Sequence, residues 1–243
     1  MEVFLKLGVI ALALFSAVSQ RPSSPDTSAV HLARGEALSV KHDFDGAIEE
    51  YRQALRLEPG DAKAHFELGL ALRAKGDLDG AISEYREAIR LQPKLAEAYV
   101  NIANALQVKG DLDGAMAEYR EAIRLKPDLA QAHANLGSML LMKRELGDSI
   151  VELREALRLN PSLVEPHFAL GDALRNTGNL DEAILEYREA VRLNPNYALA
   201  HYNLASALKV KGNMEEAAHE FAEAIRLNPK LRLPGTGSPT KRP

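Results

Sequence analysis

Residues 62–95 read AKAHFELGLALRAKGDLDGAISEYREAIRLQPKL, and this stretch decides the fold because close copies of it recur along the chain. A proline stands near the end of every copy, and successive prolines are 34 residues apart: Pro59, Pro93, Pro127, Pro161, Pro195 and Pro229. Copying one unit at a fixed period is typical of elongated arrays in which each repeat contacts its neighbours. The sequence therefore predicts a repeat protein and not a globular enzyme.

Six units account for most of the chain. Four further columns of the unit do not vary, and in the second copy they are Leu72, Ala88, Arg90 and Leu91. The predicted units are residues 28–61, 62–95, 96–129, 130–163, 164–197 and 198–231. The polar segments on either side, residues 20–27 and 232–243, contain several prolines, and we expect both to be disordered.

Each unit predicts two helices joined by a tight turn. In the second copy, helix A covers about residues 63–74, and helix B covers about residues 79–91 and ends before Pro93. The predicted left-handed helix ends are Gly76, Gly110, Gly178 and Gly212. The predicted N-caps are Asp77, Asp111, Asn179 and Asn213, the last two in capping boxes with Glu182 and Glu216. His42 and Arg144 depart from the glycine pattern.

The unit resembles the tetratricopeptide repeat. The resemblance rests on Leu68-Gly69 in helix A and on Tyr85, Ala88 and Pro93 at this spacing, and it extends over residues 28–231. It implies an all-α fold, an α-solenoid wound as a right-handed superhelix of six helix-turn-helix repeats. It also implies that the helix A row lines a concave groove that holds peptides or other proteins.

Composition excludes several classes of function. The net charge of −4 gives no basic stripe for nucleic acid, and the absence of cysteine excludes disulfides and thiolate-bound metal. No phosphate-binding loop, nucleophile elbow or zinc-protease motif occurs, so we expect no catalysis, no cofactor and no metal site. The histidines at the fourth position of five units are expected to fill space between helices: His31, His65, His133, His167 and His201.

The invariant arginines favour surface ion pairs over an anion site. Five of the six lie three residues after a glutamate, as Arg90 lies after Glu87, which is the spacing of an exposed helical ion pair.

The first nineteen residues resemble a secretory signal peptide. Lys6 precedes the apolar run 7–15, and the small residues Ala17 and Ser19 precede a predicted cleavage site at Gln20. We therefore expect a periplasmic or secreted protein. An uncleaved N-terminal segment that anchors the chain in a membrane, or a cytosolic location, remains an alternative.

The predicted binding surface is the helix A face at positions 2, 5, 6, 9 and 12 of each unit. Its asparagines form a ladder that can hydrogen-bond the backbone of an extended peptide. Leu141 and Met142 form an apolar spot in the fourth unit, which predicts a hydrophobic anchor on the ligand with acidic residues on either side. The candidate groove residues are Phe66, Arg73, Asn101, Asn104, Asn135, Leu141, Met142, Phe168, Arg175, Tyr202, Asn203 and Lys209.

The end of the array predicts a second surface. The prolines and glycines after Leu231 forbid a capping helix, so Phe221, Ile225 and Leu227 should be exposed and could mediate self-association.

Taken together, these features predict a non-catalytic scaffold that binds protein or extended peptide in an exported compartment. The alternative is an accessory subunit that recruits substrates to a separate enzyme, such as a transferase or a peptidase. Neither function calls for nucleic acid as a partner.

Overall fold

The computed structural model describes residues 27–231, and every regular element in that range is an α-helix. The predicted signal peptide and most of the two polar flanks lie outside the described residues. The chain divides into two compact units, residues 1–93 and 94–243. We call these compact units unit one and unit two, and we call the 34-residue copies repeats.

Each predicted repeat contains one pair of helices. Unit one holds α1 Ser28–Val40, α2 Phe44–Leu57, α3 Ala62–Ala74 and α4 Leu78–Leu91. Unit two holds α5 Ala96–Lys109, α6 Leu112–Leu125, α7 Ala130–Met142, α8 Leu146–Leu159, α9 Val164–Asn176, α10 Leu180–Leu193, α11 Ala198–Val210 and α12 Met214–Leu227. Odd-numbered helices are helix A and even-numbered helices are helix B. The second repeat matches its predicted bounds to within one residue, which is the usual uncertainty of helix ends.

The packing follows the sequence order. Within each unit, helix A packs on helix B of its own repeat, and helix B packs on helix A of the next repeat. The all-α helical repeat solenoid predicted from the sequence is confirmed. The right-handed superhelix implied by the resemblance stays a prediction.

A small residue at position 8 allows the two helices of a repeat to come close together. A Cβ atom added at Gly69 would lie 2.6 Å from the ring of Tyr85, and one added at Gly171 would lie 2.6 Å from the ring of Tyr187. Both tyrosine side chains are fully buried. Gly69 and Gly171 therefore allow helix B to pack closely against helix A.

The turn between helix A and helix B has the same backbone form in the first and fourth repeats as elsewhere. Gly76, Gly110, Gly178 and Gly212 have φ values of 83° to 87°, as predicted. His42 and Arg144 occupy the equivalent positions with φ values of 61° and 65°. These two residues therefore hold a left-handed conformation that disfavours a side chain. The helix that follows Arg144 has 14 residues, as in the other repeats, so the turn is not reshaped.

The N-caps divide into two groups. Asp77 and Asp111 accept hydrogen bonds of 2.9 Å from the backbone N–H groups of Gly80 and Gly114, as predicted. Asn179 and Asn213 stand at the N-cap positions without a side-chain cap bond. The predicted capping boxes are wrong, because Glu182 and Glu216 bind arginines instead, Arg154 and Arg188 of the preceding helix B.

Candidate functional site

The structure distributes the predicted groove residues over five A helices. Phe66 and Arg73 lie on α3 in unit one. The other ten lie in unit two: Asn101 and Asn104 on α5, Asn135, Leu141 and Met142 on α7, Phe168 and Arg175 on α9, and Tyr202, Asn203 and Lys209 on α11. Unit two therefore carries most of the candidate site, and its four consecutive repeats can be compared with one another.

A polar cluster joins the third repeat to the fourth. The hydroxyl of Tyr119 donates to Oδ1 of Asn104 and accepts a 2.8 Å hydrogen bond from Nδ2 of Asn135. Nε2 of Gln131 donates to Oδ1 of Asn135 at 2.9 Å. Burial raises the pKa of Tyr119, so its hydroxyl keeps the proton that it donates. We call these four residues the first polar cluster.

A second polar cluster joins the fifth repeat to the sixth. Oδ1 of Asp172 accepts hydrogen bonds from the Tyr187 hydroxyl at 2.6 Å and from Nδ2 of Asn203 at 2.8 Å. Nε of Arg175 donates to the Tyr187 hydroxyl at 3.2 Å. Burial, followed by the charge of Asp172 and its hydrogen bond, raises the pKa of Tyr187 well above the ordinary value. The hydroxyl therefore stays protonated and binds Asp172 within the fifth repeat, while Asn203 connects Asp172 to the sixth repeat.

The junction between these clusters, where the fourth repeat meets the fifth, is apolar. Leu153 replaces the tyrosine and is fully buried, and Ala169 replaces the asparagine. The Ser138 hydroxyl donates to the Ala134 carbonyl of its own helix at 2.9 Å and takes no part in the junction. The site therefore alternates polar, apolar and polar along unit two.

The predicted apolar spot lies over this apolar junction. Leu141 is half-buried and packs, together with Phe168, against a buried cluster that contains Leu153 and Tyr187. Met142 is 66% exposed. The accessible apolar surface is therefore mainly Met142 and the outer edge of Leu141.

The three asparagines of the predicted ladder do not behave alike. Asn101 donates to the carbonyl of Glu97 in its own helix at 2.9 Å. Asn135 and Asn203 donate to side chains of the preceding repeat. All three were predicted to face a ligand, but Asn135 and Asn203 also hold repeats together. Their peptide-binding role stays a prediction.

Aromatic residues at position 5 rest on helix B. The Phe66 ring lies 5.7 Å from that of Tyr85, and the Phe168 ring lies 6.1 Å from that of Tyr187. Phe168 also lies 4.9 Å from Tyr197, a residue that the sequence analysis did not select because it stands outside the helix A face. These side chains give the site an apolar floor between its polar groups.

The equivalent junction in unit one is acidic. Nζ of Lys63 lies 2.7 Å from Oε1 of Glu36, and Glu67 occupies the position that Asn135 and Asn203 hold in unit two. Burial and the nearby charge of Glu36 raise the pKa of Glu67. The sequence pattern did not reveal that Glu36 acts on Glu67, because the two residues are 31 positions apart in the chain.

The outer face carries the predicted arginine–glutamate pairs, which are confirmed. Five arginines bind the glutamate three residues earlier: Arg90, Arg124, Arg158, Arg192 and Arg226. Arg56 of the first repeat binds Glu49 at 2.9 Å instead. These arginine side chains are more than half exposed, which is typical of a solvated face.

The histidine column does more than fill space between helices. Nδ1 of each histidine lies within hydrogen-bond distance of a glutamate in helix B of the same repeat, as His167 does at 2.6 Å from Glu186. The interpretation of these rings as aromatic filler was therefore incomplete. The signal was present in the sequence as an invariant column: Glu50, Glu84, Glu118, Glu152, Glu186 and Glu220.

The predicted exposure of the last helix is wrong. Phe221 is only 7% exposed because its ring packs on that of Tyr202 at 5.4 Å, and Ile225 and Leu227 are half-buried. Phe221 therefore packs within its own repeat and does not supply the exposed surface on which self-association was expected to rest. Self-association itself stays a prediction.

The described residues 27–231 contain neither a metal-binding group nor a candidate membrane-spanning helix. Within that range, no three His, Asp or Glu side chains converge as a metal-binding group. None of its helices has both the length and the apolar character that crossing a membrane requires.

Comparison with known families places most of the chain in one group. Two models described as tetratricopeptide repeat match residues 32–96 and 198–231, and one described as TPR repeat matches residues 108–143 and 171–212. No curated protein matches the sequence.

Three solved structures illustrate the likeness. YrrB, described as a TPR protein with an unusual peptide-binding site, is 26% identical with a TM-score of 0.67, and the match covers 74% of this chain and 93% of YrrB. MamA is 27% identical with a TM-score of 0.62, over 67% of this chain and 95% of MamA. PilF of Pseudomonas aeruginosa, at 21% identity and a TM-score of 0.71 over 84% of this chain and 93% of PilF, shows the fold alone.

Proposed function

Because this chain belongs to the tetratricopeptide-repeat family, we propose that it is a non-catalytic scaffold that binds a protein or an extended peptide through the helix A face of unit two. The observation that carries the proposal is the alternation of polar, apolar and polar junctions along that face. The peptide-binding site described for YrrB supports this class of ligand.

The face offers hydrogen-bonding groups that suit a peptide backbone. Within residues 27–231, Nδ2 of Asn104 and the Oδ1 atoms of Asn101 and Asn203 have no hydrogen-bond partner. An extended peptide presents both N–H and C=O groups, which such amides can pair with. Asn135 is fully engaged within the first polar cluster, so it supports the face but contributes no free group.

The side chains define the ligand further. The apolar junction, with Leu141, Met142 and Phe168, accepts one hydrophobic side chain. Lys209 is exposed and has no ion pair in the described part of the chain, and Arg175 lies nearer to the apolar spot. We propose a ligand with an apolar anchor followed by an acidic residue.

We also propose that binding takes place outside the cytoplasm, in a periplasmic or secreted setting. The support is the signal-like sequence of residues 1–19, which lies outside the described residues. Recruitment of substrates to a separate enzyme uses the same face and is the alternative form of this function.

The test is selection of peptides by the full-length protein, followed by titration calorimetry. Leu141→Gln copies the residue at the same position of the preceding repeat, Gln107, so the variant should fold. We expect selected peptides to carry an apolar anchor, and we expect Leu141→Gln to weaken their binding about tenfold, roughly the loss of one partly buried apolar contact.

The matched control is Val151→Gln on the outer face of α8, where Val151 is 64% exposed. This variant should bind the selected peptides as tightly as the wild type does. Unchanged affinity in Leu141→Gln together with lost affinity in Val151→Gln would place the site on the outer face and refute the proposal.

A further inference from the structure

Five histidines make the same contact with a glutamate. Nδ1 lies 2.5 to 2.6 Å from Oε2 of the glutamate nineteen residues later, in the pairs His31–Glu50, His65–Glu84, His133–Glu152, His167–Glu186 and His201–Glu220. The histidine side chains are 8 to 13% exposed and their glutamates 14 to 26% exposed. These contacts are therefore largely withdrawn from solvent.

Four of the rings also contact the preceding repeat through their other nitrogen. Nε2 lies 3.0 to 3.1 Å from a proline carbonyl oxygen, in the pairs His65–Pro59, His133–Pro127, His167–Pro161 and His201–Pro195. These prolines are the periodic prolines of the sequence. Each ring therefore connects helix B of its own repeat to the chain that ends the repeat before it.

The two contacts of each ring need one proton more than a neutral imidazole carries. A carbonyl oxygen and an ionised carboxylate are both only acceptors, and a neutral imidazole has a single N–H, so it can donate from Nδ1 or from Nε2 but not from both. One additional proton satisfies both contacts, whether it sits on the ring or on the carboxyl group. Without it, two lone pairs face each other at one of the two contacts of His167, either with Glu186 at 2.6 Å or with the Pro161 carbonyl at 3.0 Å.

The charges around the His167 ring favour that proton. The two charges that act on it come from α10: Glu186, and Glu189, which is itself paired with Arg192. From the segment after α8 the ring receives only the Pro161 carbonyl. The other charged side chains of the neighbouring helices α7, α8 and α11 are bonded elsewhere or exposed: His133 with Glu152, Arg154 with Glu182, Glu155 with Arg158, His201 with Glu220, and Asp148 and Lys209 exposed.

We propose that folding binds one proton at the His167–Glu186–Pro161 site, and that this proton fastens the fifth repeat to the fourth, so that their junction loosens as pH rises through the range in which histidine titrates. The proton bridges two repeats, because His167 and Glu186 belong to the fifth repeat and the Pro161 carbonyl belongs to the fourth. The junction of these two repeats thus contains a pH-sensitive contact.

The direction of the effect follows from linkage. Burial lowers the pKa of His167, but the hydrogen bonds to Glu186 and to the Pro161 carbonyl, with the charge of Glu186, outweigh burial and raise it overall. A raised folded pKa stabilises the protein fully below the unfolded value of about 6.5. This stabilisation is lost as pH rises through the folded pKa.

The test compares glutamine variants with the wild type by urea unfolding of the full chain between about pH 6 and 9, the range in which histidine titrates. In Glu186→Gln the amide N–H can donate to Nδ1, so a neutral ring satisfies both contacts and the additional proton is no longer needed. In the wild type, the unfolding constant should rise by up to about tenfold per pH unit for each proton released.

We expect Glu186→Gln to lose the part of this pH dependence that one released proton contributes, a slope of up to about tenfold per pH unit. Glu182→Gln is the matched control, because Glu182 lies on the same helix and binds Arg154 at the surface. It should keep the wild-type slope. Parallel slopes for the wild type and Glu186→Gln would overturn the proposal. The readout involves no ligand, so it is independent of the proposed function.

Nitrogen NMR of the histidine rings gives a second readout on the intact protein. His42 and His219 are exposed and serve as internal references. As pH rises, we expect the His167 ring to stay protonated on both nitrogens after the reference rings have lost a proton. If His167 loses its proton together with them and the unfolding slopes are parallel, no proton is bound at this site and the idea fails.

Discussion

Two junctions within unit two use the same helix packing and opposite chemistry. The junction of the fifth and sixth repeats is held by a hydrogen bond from Asn203 to Asp172, a carboxylate that the Tyr187 hydroxyl of its own repeat also binds. The junction of the fourth and fifth repeats has Leu153 and Ala169 instead and is held by apolar packing. The backbone of the repeat therefore tolerates either solution, and the choice between them shapes the surface offered to a ligand.

The largest expected effect comes from breaking the apolar junction. Leu153→Ala should lower the free energy of unfolding by about 3 kcal/mol, because it leaves a cavity in the buried apolar contact between the two repeats. Urea unfolding monitored by circular dichroism measures this change. Val151→Ala on the same helix is the control, since Val151 is 64% exposed, and a comparable loss there would contradict the argument.

Breaking the polar junction should cost less. Tyr187→Phe removes the hydroxyl that binds Asp172 and Arg175 and should lower the free energy of unfolding by about 1–2 kcal/mol. The Tyr85 hydroxyl in unit one is buried and makes no close hydrogen bond among the described residues, with mainly the charged side chain of Arg73 acting on it, so Tyr85→Phe should cost less than Tyr187→Phe. Denaturation curves of the two variants measure both changes in the free energy of unfolding. Equal losses would show that the hydrogen bonds of the Tyr187 hydroxyl contribute nothing to stability.

Converting one junction into the other sharpens the comparison. Leu153→Tyr alone places a hydroxyl beside Ala169 and should cost about 1–2 kcal/mol, because the buried group has no partner. Adding Ala169→Asn should recover about 1 kcal/mol, since Asn135 donates to the Tyr119 hydroxyl in just this arrangement. A double-mutant cycle measures the coupling, and strictly additive effects would count against interchangeable junctions.

The smallest effect concerns the turn that precedes the apolar junction. Arg144→Gly should raise the free energy of unfolding by about 0.5–1 kcal/mol, because φ at this position is 65° and glycine holds it without strain. Lys143→Gly, where φ is −80°, should lower stability instead. Thermal and urea unfolding of both variants would show opposite signs, and the same sign in both would refute the strain argument.

Most of the fold could be predicted because its signals are local. Pro93 and Gly76 mark helix ends by their own backbone preferences, and the helix bounds of the second repeat followed to within one residue. The predicted capping boxes failed for a non-local reason, because Glu182 and Glu216 found arginines 28 residues earlier in the chain. The exposure predicted for Phe221 failed in the same way, since it depended on Tyr202 across the helix pair.

By itself, the sequence determined the period, the helix pairs, the turns and the face that carries the candidate groove, because each depends on residues within one or two turns of helix. Only the tertiary structure decided which groups on that face are free. Asn203 meets Asp172 from 31 residues away, and His167 meets Glu186 and Pro161 together. Such contacts depend on the angle at which helices pack, and one residue column can therefore serve as ligand-binding surface in one repeat and as a fastening between repeats in the next.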